Sequence, residues 1–301
     1  MNIEKVKIFL EKNKIQFLQN EKLSNHSSIK IGGTCDFFVL PKDIFEVIKL
    51  LEYAKNNDIK YCVIGNGTNT LFSDFGTKNL IICTKLLKNY QIFKNKLLAE
   101  SGLGLFELGK ICAENGLSGI EFCYGIPGTV GGAMITNAGA FEQSIGDYVD
   151  FVKVYQNGEI FNLSKEEMKF SYRHSILENA DAVILGVQFD LKKGNTNDVK
   201  ELQKKYFEQK LSSQPYNELS LGSVFKRNSD YPSVSKLIDQ LGLKGFSIGG
   251  ASVSKKHAGF LINNGECTCK DFVLLIKYIQ KKIYDNFGFV PELEIKLVGE
   301  M

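Results

Sequence analysis

Apolar residues between positions 43 and 56 recur at helical spacing. Ile44, Val47, Ile48, Leu51 and Ala54 fall on one face, and Asp43 with Glu46 three residues on makes a capping box. The spacing predicts a helix there. A short buried strand is predicted at 61–64, broken by Gly65-Asn66-Gly67, and another at 79–83. Further on, 97–100 reads as a strand and 105–115 as a short helix ended by Gly116. Residues 151–155 and 182–191 read as strands, the polar stretch 191–197 as a linker, and 199–211 as a charged amphipathic helix. The most regular stripe is Phe272, Leu275, Ile276, Ile279, Ile283 and Phe287, which predicts a helix over 271–287 ended by Gly288. A strand-like segment at 293–298 closes the chain. No internal repeat or low-complexity tract interrupts it.

These elements group into three mixed regions, 1–84, 85–198 and 199–301. The length of 301 residues suits two or three modest domains. At 44% hydrophobic and 24% charged, the chain reads as ordinary globular protein. A formal charge of +3 is too small to argue for nucleic acid or a membrane surface. Seven cysteines, mostly in apolar stretches, fit buried free thiols in a reducing compartment. Cys267 and Cys269 form a close pair, but His257 is the sole nearby partner type, so no metal is expected. No signal peptide or membrane span is read, and a soluble cytoplasmic protein is expected.

Five segments carry candidate chemistry. In Val63-Ile64-Gly65-Asn66-Gly67-Thr68-Asn69 the glycines allow a tight turn that presents N–H groups to a phosphate. It lacks the third glycine of the dinucleotide fingerprint and the lysine of a P-loop, and such a loop alone is more often an ordinary strand-to-turn corner than a phosphate site. Gly125-Ile126-Pro127-Gly128-Thr129-Val130-Gly131-Gly132, continuing to Asn137-Ala138-Gly139-Ala140, removes side chains where something flat or charged could approach the backbone. The alternative is a structural loop under a helix. Two such loops together point to a dinucleotide cofactor without saying which. Arg173 in Tyr172-Arg173-His174-Ser175 suits a carboxylate or phosphate, or a structural ion pair. Ser223 in Leu221-Gly222-Ser223-Val224-Phe225-Lys226-Arg227 sits on a turn but lacks the flanking glycines of a nucleophile elbow. The tail around Glu292 and Glu294 alternates as an edge strand would.

In this order, together with His26-Ser27-Ser28-Ile29-Lys30-Ile31-Gly32-Gly33, Gly116-Leu117-Ser118-Gly119-Ile120-Glu121-Phe122, Gln214-Pro215, Gly242-Leu243-Lys244-Gly245 and Lys256-His257-Ala258-Gly259, these segments resemble the UDP-N-acetylenolpyruvoylglucosamine reductases over nearly the whole chain. The resemblance implies an α+β fold: an FAD-binding module of the vanillyl-alcohol-oxidase type in two subdomains, 1–84 and 85–198, and a C-terminal α+β substrate domain, 199–301. It implies FAD and NADPH as cofactors. It places Gly65, Asn66, Gly67, Thr68 and Asn69 at the FAD pyrophosphate, and Gly125, Ile126, Pro127, Gly128, Thr129, Gly131, Gly132, Asn137, Gly139 and Ala140 along the cofactor. Arg173, Ser223 and Glu294 match the catalytic positions, and Lys210, Lys226, Arg227 and Asn228 are expected to contact the diphosphates of nucleotide ligands.

The implied reaction passes a hydride from NADPH to flavin N5 and on to the enolpyruvyl methylene, giving UDP-N-acetylmuramate for peptidoglycan. Arg173 and Glu294 would stabilise the enolate and Ser223 would protonate it. The partners expected are small molecules, with no nucleic acid or membrane, and the chain is expected to act as a monomer. Thr68, Thr136, Asn228, Cys267 and Cys269 depart from the residues usual in the family, none at a catalytic position. The chain resembles the shorter subclass without a tyrosine-bearing inserted loop. A different flavin oxidase with the same module, and a non-catalytic nucleotide-binding protein, are the competing readings.

Overall fold

A fully buried apolar strand, Leu80–Cys83, lies between two parallel neighbours, with Ile81 opposite Phe38 on one side and Cys62 on the other. Parallel strands need a crossover, and helix Ile44–Asn56 supplies it. Asp43 caps that helix by accepting Glu46 N–H at 2.8 Å, as the sequence predicts. Val47, Leu50, Leu51 and Ala54 pack with Val6 and Leu10 of helix Ile3–Lys12 over Phe37, Val39 and Ile82.

These elements belong to the first of two compact units in the computed structural model, which describes residues 1–300. That unit comprises Met1–Leu18, Phe37–Asn66 and Asn79–Lys210; the second comprises Gln19–Asp36, Gly67–Lys78 and the chain from Leu211 on. Residues 19–36 and 67–78, which a contiguous division at 84 leaves with the first segment, thus pack in the second unit. The mixed α+β character expected from the sequence is borne out in both units.

The first unit also holds an antiparallel sheet ordered Glu159–Ser164, Val149–Gln156, Val183–Asp190, Lys96–Glu100, Tyr90–Phe93. Register slips at Lys153/Val154, where Gly186 and then Ile184 are the partners, leaving Leu185 as the extra residue of a bulge. The insertion changes which face the strand presents. Ile184, Val187 and Phe189 join a core with Leu105, Leu108, Val130 and Met134, while Val183 and Leu185 join the core beneath helix Ile44–Asn56. The expected linker at 191–197 is corrected here. Lys192–Lys193 pairs with Leu117–Ser118, because an extended polar pair can still satisfy a ladder, and helix Thr196–Ser213 starts within the predicted linker.

The second unit is built on an antiparallel sheet ordered Leu219–Ser223, Phe260–Asn263, Ala251–Val253, Ser247–Ile248. Helix Cys269–Phe287 lays Phe272, Leu275, Ile276, Ile279 and Ile283 into the core. Thr268 and Asp271 form its capping box, and Gly288, at φ 79°, ends it in the left-handed conformation. Ile29, Ile31 and Leu71 complete this core. Thr70–Phe72 runs parallel to Lys296–Val298.

Candidate active site

Three loops of the first unit converge. Strand Tyr61–Ile64 ends at Gly65, where an added Cβ would strike the Thr129 side chain. Asn66 donates from Nδ2 to Gly128 O at 3.3 Å. From below, Cys83 Sγ donates to Gly65 O at 3.4 Å and Thr84 Oγ1 to Ile64 O at 3.3 Å. Burial pushes the Cys83 thiol pKa up, so Cys83 supports the turn as a neutral donor. The third loop, Ser101-Gly102-Leu103-Gly104, is absent from the sequence reading. Its Ser101 and Leu103 carbonyls accept Gly131 N–H and Val130 N–H, each at 2.8 Å. Its only sequence signal was a pair of glycines between a strand and a helix.

Thr129 caps helix Val130–Ile135, accepting Gly132 N–H at 3.3 Å. Gly125 and Thr129 are buried, Ile126 and Gly128 are half-buried, and Pro127 and Gly132 are exposed. A Cβ on Gly131 would press on Ser101 Cβ at 2.9 Å, so that glycine serves packing. A Cβ on Gly132 or Gly104 would meet only Thr129 Oγ1 at 3.5 Å or Gly128 O at 3.9 Å. Those are ordinary contact distances, so at these two positions packing within the protein does not itself require glycine, and a bare backbone suits the close approach of an extended dinucleotide.

Asn137 is buried and holds the next turn from both ends of its amide. Nδ2 donates to Ser171 O and Oδ1 accepts Gly146 N–H, both at 3.0 Å. Gly139 and Ala140 pair with Ser144 and Gln143 in a short hairpin. Arg173, at φ 53°, donates from Nη2 to Gly139 O at 3.0 Å and stacks over Tyr172. The arginine predicted to bind an anion is thereby aligned by the predicted cofactor segment. Lys210 is 4% exposed and donates from Nζ to Phe122 O at 3.0 Å. Burial, with the Arg173 charge adding to it, pulls its pKa down to about 8.

In the second unit, Gly222, at φ 78°, has nothing within 4 Å of its absent Cβ, and Ser223 follows on the strand end. Glu294 N–H donates to Val224 O at 2.8 Å and Lys226 N–H to Glu292 O at 2.9 Å, while Phe225 bridges Leu293. Glu294 is therefore paired through its backbone with Val224, the residue after Ser223. Lys226 is half-buried, Arg227 is exposed, and Asn228 Oδ1 accepts Asp230 N–H at 3.0 Å in a tight turn beyond them. Gly67, Thr68 and Asn69 also lie in this unit. Ser28 N–H donates to Gly67 O at 3.1 Å, and Asn69 Nδ2 donates to Glu294 O at 3.1 Å. Among the described residues, no group of three or more His, Cys, Asp or Glu side chains is arranged to hold a metal ion, and no helix is long and apolar enough to cross a membrane.

Comparison with known proteins gives these loops a chemical class. Residues 35–164 match the FAD binding domain family, and 214–298 match the C-terminal domain of UDP-N-acetylenolpyruvoylglucosamine reductase. The fold and the glycine-lined loops are thus those of a flavin-dependent oxidoreductase, with FAD as its cofactor. A UDP-N-acetylenolpyruvoylglucosamine reductase of Caldanaerobacter subterraneus subsp. tengcongensis is 40% identical over 99% of this chain and 98% of its own. One from Thermotoga maritima is 40% identical over 92% of this chain and 97% of its own. The crystal structure of the Thermus caldophilus reductase superposes with a TM-score of 0.82 at 27% identity, covering 95% of this chain and 99% of that one. The chain belongs to the UDP-N-acetylenolpyruvoylglucosamine reductase family of peptidoglycan biosynthesis. The resemblance drawn from the ordered motifs is borne out.

Proposed function

We propose that this chain uses NADPH to reduce the enolpyruvyl group of UDP-N-acetylenolpyruvoylglucosamine, giving UDP-N-acetylmuramate, as a cytoplasmic monomer. When bound, FAD supplies the redox chemistry, accepting a hydride from NADPH and delivering it to the terminal methylene carbon. The observation that supports the assignment of roles is the Glu294 N–H···O=C Val224 bond, which joins the Glu294 backbone to the residue after Ser223.

Hydride arrival at the methylene carbon pushes an electron pair toward the substrate carboxylate. Glu294, when its carboxyl carries a proton, donates a hydrogen bond to the oxygen where that charge gathers. Ser223 then gives its hydroxyl proton to the adjacent carbon, and the serine oxygen recovers a proton from solvent. A serine is a weak acid, but an enolate carbon is a strong enough base when the two are positioned. Arg173 matches the substrate carboxylate with its planar fork, and its bond to Gly139 O sets the fork's orientation.

Gly65, Asn66, Gly67, Thr68 and Asn69 hold the FAD pyrophosphate, and residues 125–132 with Asn137, Gly139 and Ala140 line the rest of it. Lys210, Lys226, Arg227 and Asn228 take the diphosphates of the nucleotide ligands. In this reading 1–84 and 85–198 serve the cofactor and 199–301 the substrate, with 19–36 and 67–78 lending structure to the second unit.

Anaerobic flavin absorbance tests the proposal. NADPH should bleach the bound flavin, and the enolpyruvyl sugar nucleotide should restore its colour. Bleaching without recovery points to another acceptor, and failure to bleach removes NADPH as donor.

A further inference from the structure

We infer that Asn69 is a positioning residue for Glu294, acting through its side-chain amide on the backbone that carries the carboxyl group. The inference rests on the reading of Glu294 given above and extends it to a residue otherwise grouped with the cofactor loop.

The Glu294 peptide is held on both sides within the second unit. Its N–H reaches Val224 O at 2.8 Å, and its carbonyl accepts Asn69 Nδ2 at 3.1 Å. Asn69 grips the same segment twice, because its own carbonyl accepts Lys296 N–H at 2.9 Å. Beyond it the parallel pairs Thr70–Lys296, Leu71–Leu297 and Phe72–Val298 continue the join, and Ser73 N–H donates to Val298 O at 2.9 Å. Most of these bonds use main-chain groups that any residue supplies. The Asn69 amide is different, since it depends on what stands at position 69. It reaches back past the ladder's end to the peptide of Glu294, where the parallel pairing has not yet begun. Without it, the Glu294 carbonyl loses its lateral restraint, and the carboxyl swings with the peptide plane. Catalytic groups tolerate shifts of only about 0.5 Å, so the effect falls on the step in which Glu294 takes part.

The test compares Asn69→Leu, Glu294→Gln and the double variant as holoenzymes, with both half-reactions followed by stopped flow. Asn69→Leu should slow recovery by the sugar nucleotide about tenfold more than it slows bleaching by NADPH. In the Glu294→Gln background it should cost little more, because the group it positions is gone. Hydrogen exchange gives a readout independent of turnover: residues 292–298 should exchange faster in Asn69→Leu. Equal slowing of both half-reactions, unchanged recovery, or losses that multiply in the double variant overturn the inference while leaving Glu294 its role. Full-rate recovery in Glu294→Gln instead removes the underlying reading, and the inference with it. Should Asn69→Leu fail to fold, Asn69→Ser, whose hydroxyl stops one atom short of the amide nitrogen, is read by the same outcomes.

Discussion

Asp74 accepts the backbone N–H of Cys269 at 2.7 Å and that of Lys270 at 3.1 Å, so a carboxylate from a distant loop caps the first turn of helix Cys269–Phe287. Those N–H groups have no partner inside the helix, and the helix dipole favours a negative charge there. Asp74→Ala should lower the unfolding free energy by about 1–2 kcal/mol, and Asp74→Asn by less, since an amide oxygen still accepts. Urea melts followed by circular dichroism measure both. Melts of both variants that overlay the parent would show the cap to be idle.

Lys210 gives a signed dependence on pH. Its pKa is drawn down to about 8 by burial, below the ordinary value of 10.5. Between those values the unfolded chain binds more protons at this site than the folded one, so its contribution to stability rises with pH. Below pH 8 both states are protonated, and the cost of burying the charge is constant. The buried thiols act oppositely: Cys112, raised to about 12 by burial, stays neutral in the fold while its unfolded form ionises near 9, so its contribution falls with pH. The difference between parent and Lys210→Met isolates the lysine. Parent minus variant should climb from pH 8 to pH 10, and a flat difference would mean that the lysine is not held down.

Gly131 and Gly132 are neighbours with different reasons to be glycine. Gly131→Ala pushes a methyl group onto Ser101 at 2.9 Å and should destabilise the apoprotein by about 1–3 kcal/mol. Gly132→Ala adds a methyl group in ordinary contact with Thr129 Oγ1 at 3.5 Å inside a helix, so it should leave the apoprotein melt unchanged or raise it. Its penalty should appear in weaker FAD binding. Thermal melts of apoprotein with FAD titration separate the two, and normal FAD affinity in Gly132→Ala would remove Gly132 from the cradle.

Ser223→Ala should still be bleached by NADPH and fail to complete reduction of the sugar nucleotide. Loss of a positioned general acid lowers such a step by about 10²–10⁴-fold. Single-turnover absorbance with product analysis reads it directly, and normal turnover would take Ser223 out of the mechanism.

The long periodic helices were legible because burial writes a repeat into the sequence: the stripe from Phe272 to Ile283 matches the core found. The ordered motifs carried the family. What the sequence did not reveal is set by contacts between distant segments. Ser101-Gly102-Leu103-Gly104 looks like a plain turn until Gly131 and Val130 are seen bonded to it. The bulge at Leu185 leaves a continuous apolar run that reads as one strand face or two with equal ease. Asn69 sits in a cofactor motif, yet its side chain reaches residue 294. Such information lies in pairs of residues far apart in the chain, which periodicity along it cannot report.

The threading of the chain carries a further consequence. Ile29, Ile31 and Leu71, from two early excursions, fill the core that helix Cys269–Phe287 covers. A polypeptide starting at residue 199 would emerge with that core unfilled, however complete its own helices and strands. The second unit is therefore not an exchangeable cassette. Recombination at a single junction could not transfer it to another protein, so the halves of this enzyme can be inherited only together.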